Sequence, residues 1–74
     1  MKTYVEVMVS ADGEKASIIV QRLQELGLES SFGEHDFVYN WKDKASMPDV
    51  LAFVDRVQSK LKGTGAILNF TTIR

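Results

Sequence analysis

The chain has 74 residues, nine basic and ten acidic, and no cysteine. That leaves room for one domain and excludes a disulfide framework or thiolate zinc site. The formal charge of −1 weighs against the basic patch that a nucleic-acid partner requires.

A domain this small buries only about 60% of the surface its unfolded chain exposes. With neither staples nor metals to help, self-association is the expected source of further stability. No apolar run approaches the ~20 residues of a membrane span. Met1-Lys2-Thr3 leads straight into a strand pattern rather than a signal peptide. A cytoplasmic domain is expected, with no membrane contact and no cofactor.

Thr3 to Val9 alternates as a strand, with Val5, Val7 and Val9 on one face and Tyr4, Glu6 and Met8 on the other. Ser10-Ala11-Asp12-Gly13 reads as a turn and helix start, with Ser10 or Asp12 as N-cap. The helix extends to about Leu26 on a stripe of Ala16, Ile19, Val20, Leu23 and Leu26, and Gly27 stops it. Leu28 to Phe32 is a brief edge strand. After Gly33 comes Asp36 to Trp41, a strand with Phe37, Tyr39 and Trp41 on one alternation and Val38 and Asn40 on the other.

Ser46-Met47-Pro48-Asp49 has capping-box spacing and opens a second helix striped by Val50, Val54, Val57 and Leu61, flanked by Leu51 and Phe53. Gly63 ends it, and Ala66 to Ile73 is the last strand.

The order strand, helix, strand, strand, helix, strand predicts an α+β fold. It is the ferredoxin-like βαββαβ plait, with a four-stranded antiparallel sheet and two helices on one face. The first and third strands are then central. Two helices cover only one face of such a sheet, and Val5, Val7 and Val9 are the natural core row. Tyr4, Met8, Phe37, Tyr39 and Trp41 are therefore expected on the uncovered face. Leu68 and Phe70, or Ile67 and Ile73, join them from the last strand, since both alternations there are apolar. So large an apolar face predicts a homodimer packed sheet to sheet, a dimeric α+β barrel. The alternative arrangement turns all three aromatics beneath the helices.

Catalytic signatures are lacking. His35 stands between Glu34 and Asp36, but adjacent residues on an extended chain point apart, so neither a catalytic group nor a metal site is expected there. Gly63-Thr64-Gly65 is too short for a phosphate cradle and reads as a helix stop. Asp12 and Gly13 present backbone N–H groups that suit an anion or, more commonly, a cap. Third-strand aromatics also suggest RNA stacking, yet Glu34 and Asp36 occupy positions where basic residues help, and a first-strand aromatic motif is missing.

Gly33-Glu34-His35-Asp36 leads into Phe37-Val38-Tyr39, and Leu61-Lys62-Gly63-Thr64 precedes a last strand bearing Thr71 and Thr72. In these features the chain resembles the effector-sensing domain of the leucine-responsive/asparagine-responsive regulators (the Lrp/AsnC family), in stand-alone form. It is similar over the same turn to the GYD family of small dimeric plait proteins. His35 departs from the tyrosine usual in that turn, and no helix-turn-helix segment precedes the first strand, so DNA reading is not expected.

The resemblance implies a dimer through the sheet faces, assembling into higher oligomers, with a small effector, in that family an amino acid, near the turn. Gly33 would allow close backbone approach, Asp36 would accept from an ammonium group, and His35 and Thr71 would be further contacts. The competing expectation is a small dimeric barrel enzyme, of monooxygenase or isomerase type. It would use the cavity between sheet and helices, beside His35 or Tyr39.

Overall fold

Two seven-residue strands, β1 (Lys2–Met8) and β4 (Ile67–Ile73), pair antiparallel along their whole length. The computed structural model describes residues 1–31, 36–42 and 44–74. The remaining elements are α1 (Ala16–Glu25), β2 (Glu29–Ser30), β3 (Phe37–Asn40) and α2 (Met47–Leu61). The sheet order β2-β3-β1-β4, antiparallel throughout, is the ferredoxin-like plait, with β1 and β3 central.

Helix α1 begins at Ala16, later than the Ser10 and Asp12 signals predict, and Lys15 caps it without a side-chain bond. The preceding residues are committed elsewhere. The Asp12 amide donates to Ser10 Oγ, the Gly13 amide to the Ser10 carbonyl, and the Glu14 amide to the Thr64 carbonyl at 3.0 Å. Gly13 is needed there, because a Cβ would collide with the Thr64 carbonyl oxygen.

At the other end the Gly27 amide donates to the Gln24 carbonyl and the Leu28 amide to the Leu23 carbonyl, with Gly27 at φ 91°. This is a Schellman stop, whose accompanying apolar contact is supplied by buried Leu23 and Leu28.

Helix α2 opens on the predicted capping box. The Asp49 amide donates to Ser46 Oγ, and the Ser46 amide donates to Asp49 Oδ2 at 2.9 Å. The Ser46 amide, and then its hydroxyl, hold the Asp49 carboxyl below its ordinary value. The buried row is Phe53, Val57 and Leu61, spaced by four. Val50 and Val54 are half-buried flanks and Leu51 is exposed, so the stripe is rotated from the one expected.

Register decides which strand residues meet the helices. Val5 pairs with Phe37 and Phe70, Thr3 with Tyr39 and Thr72, and Val7 with Leu68. Paired residues share a face. Fully buried Val5 therefore carries Phe37, Tyr39, Leu68 and Phe70 inward with it. This corrects the expectation that Phe37, Tyr39 and Trp41 face outward. Tyr39 stacks on Phe53 with ring centroids 4.4 Å apart, and Trp41 meets both rings edge-on at 4.9 and 5.5 Å. The Trp41 indole N–H donates to Thr3 Oγ1 at 2.8 Å, and Thr3 Oγ1 lies 2.9 Å from Thr72 Oγ1. These bonds satisfy a threonine that is 0% exposed.

Candidate functional site

Three places on the described surface have the makings of a site. The first is the uncovered face of the sheet. Tyr4, Met8, Val38, Ile67, Thr71 and Ile73 alternate away from the buried row, together with Lys2, Glu6, Glu29, Asn40 and Asn69. Val38, Tyr4 and Thr71 form one cross-strand row, and Met8 and Ile67 another, with Glu6 and Asn69 between them. Met8 is 63% exposed, Ile67 61% and Ile73 52%. Of the six large hydrophobics most open to water among the described residues, these three lie on this face. Tyr4 and Met8 thus stand where expected, while Phe37, Tyr39 and Trp41 do not.

The second place is the end of the sheet at Asp36. A cleft of about 310 Å³ opens between α1 and the sheet, lined by Val7, Val9, Ala16, Ile19, Val20, Asp36 and Phe37. Asp36 is exposed, and its Oδ2 accepts the Val7 amide at 2.7 Å, while its own carbonyl accepts the Ser31 amide. Its carboxylate therefore takes over where β1–β3 pairing ends at Val5 and Phe37. Gly33 and His35 lie outside the described residues. Thr71 does not line this cleft, so the structure does not gather Asp36 and Thr71 into one pocket. Among the described residues, no group of His, Cys, Asp and Glu comes together to hold a metal ion.

The third place is the opposite end, a cleft of about 520 Å³ lined by Met1, Lys44, Ala45, Met47, Val50, Thr72 and Arg74. Met1 fixes one wall, its carbonyl accepting the Trp41 amide and its sulfur the Ala45 amide. Apart from Thr72, sequence reasoning had no signal for this grouping. Lys44 reads as part of a charged connection, and Arg74 is thirty residues away from it.

No protein-family model matches the chain, and neither curated proteins nor solved structures give a significant match. No helix of the described residues is long and apolar enough to cross a membrane.

Proposed function

We propose that this chain is a non-enzymatic binding domain that acts as a homodimer through the uncovered sheet face and responds to a small-molecule effector. This is the behaviour expected from its resemblance to the sensing domains of the leucine-responsive/asparagine-responsive regulators. The observation that carries the association is the exposure of Met8, Ile67 and Ile73 beside Tyr4 and Val38 on one face.

The enzyme reading has less support. It needs a cavity between sheet and helices beside His35 or Tyr39; at Tyr39 the ring stacks on Phe53, and His35 lies outside the described residues.

Sedimentation at micromolar concentration tests the proposal. The chain should run as a dimer, and Ile67→Lys, which alters an exposed side chain, should shift it to monomer without loss of fold. A wild-type monomer at that concentration would refute it.

A further inference from the structure

We propose that the cleft between the start of α2 and the end of β4 binds an amphipathic carboxylate, a short apolar chain ending in an anionic head. The inference gives the effector of the proposed function a place and a chemical class. It rests on that reading only in taking the domain to bind a small molecule.

The cleft's volume, about 520 Å³, falls within the ~300–1,000 Å³ of small-molecule sites. Its lining separates into two parts. Met1, Ala45, Met47 and Val50 supply apolar surface, with Met47 69% exposed and so uncovered by this chain. Lys44, Thr72 and Arg74 supply the polar part.

Among the described residues neither Lys44 nor Arg74 has an acidic partner, the one ion pair being that of Lys60 with Glu25. Asp49 of the α2 cap accepts from Ser46 and does not line the cleft. Lys44 and Arg74, with no acidic partner among the described residues, add positive charge to a largely apolar lining, which favours an anion over an amine. The apolar part of the lining, Met1, Ala45, Met47 and Val50, favours a ligand with a tail over a bare inorganic ion.

Thr72 adds a directed donor. An indole N–H only donates, so Thr3 Oγ1 is the acceptor in its bond to Trp41. The Thr3 hydroxyl hydrogen, wholly buried, also needs an acceptor, and Thr72 Oγ1 is 2.9 Å away. Thr72 is thereby the receiving partner, and its own hydrogen is left to point away from the core. The chain Trp41 to Thr3 to Thr72 supplies a donor to the same cleft that Lys44 and Arg74 line, which a carboxylate oxygen can accept.

The test is an NMR titration of the isotope-labelled full chain with octanoate, octanol and octylammonium, each below its aggregation threshold. Octanoate should saturably shift the amides of Ala45, Val50 and Thr72, and octylammonium should not. Lys44→Gln and Arg74→Gln should each weaken octanoate about three- to fivefold, the scale of an exposed ion pair, and leave octanol unchanged. Unperturbed amides elsewhere verify that both variants fold.

The inference is overturned if octanol or octylammonium binds as tightly as octanoate, or if neither glutamine variant weakens octanoate. It is likewise overturned if the shifts fall on Tyr4 and Ile67 of the uncovered face. Sedimentation of the same samples separates the two proposals. A monomer that binds octanoate removes only the dimer, and a dimer indifferent to octanoate removes only this site.

Discussion

Thr3→Val removes a buried hydroxyl while keeping the shape of the side chain, so it isolates hydrogen bonding from packing. Thr3 is 0% exposed, accepts the Trp41 indole N–H at 2.8 Å and bonds Thr72 at 2.9 Å. Valine breaks both bonds and leaves the indole N–H without its acceptor, at a cost of about 1–3 kcal/mol. In a domain of this size 1 kcal/mol shifts the melting temperature by roughly 4–8 °C, so Tm should fall by at least about 4 °C.

Thermal unfolding followed by circular dichroism reads the effect, and a cycle with Trp41→Phe assigns it. In the Trp41→Phe background no indole N–H remains to be orphaned, so the same substitution should cost about 1 kcal/mol less. An equal cost in both backgrounds, or a Thr3→Val protein as stable as wild type, would refute the network as described.

Gly13→Ala should lower stability by about 1–3 kcal/mol, as overpacking does, because the added methyl collides with the Thr64 carbonyl oxygen. Urea unfolding gives the value, and a neutral result would mean the two loops separate freely. The Asp49 cap has a pH signature. Its folded pKa lies below the ordinary 3.8, so its contribution is present above that value and disappears as pH falls through the folded pKa. Ser46→Ala should cost about 1 kcal/mol at neutral pH, and its difference from wild type should narrow in acid, as followed by melting temperature against pH.

Much of the framework could be read from residue order. Gly27 and Gly63 stop helices at positive φ, and Ser46 and Asp49 form the box that their spacing announces. The faces of β3 and β4 could not be read this way. Phe37, Tyr39 and Trp41 share an alternation, but whether it points in or out depends on pairing with Val5 and Thr3, which local sequence does not encode.

The same holds for β4, where Leu68 and Phe70 went inward and Ile67 and Ile73 outward, although either set is apolar enough for a core. Thr3 was hidden for another reason. A threonine earns a fully buried place only when a distant indole needs an acceptor, and Trp41 lies 38 residues away. Helix α1 starts later than its capping signals suggest because Ser10 and Gly13 bond within their own turn, and Glu14 with the α2–β4 loop. Of the candidate site, Tyr4 and Met8 were legible as outward residues of a strand. The cleft at Lys44 and Arg74 was not, since folding alone brings them together.

The pairing of β1 with β4, from Lys2 opposite Ile73 to Met8 opposite Ile67, sets the timing of folding. While the chain is being synthesised, β1 emerges first and can hold only four partners on β3, leaving its other edge unpaired. The strand that closes that edge is made last, so assembly waits for the longest loop in the molecule to close. Contacts this far apart in sequence make for slow folding. Until β4 pairs, that edge of β1 carries unpaired backbone N–H and C=O groups, the feature that invites pairing with another chain.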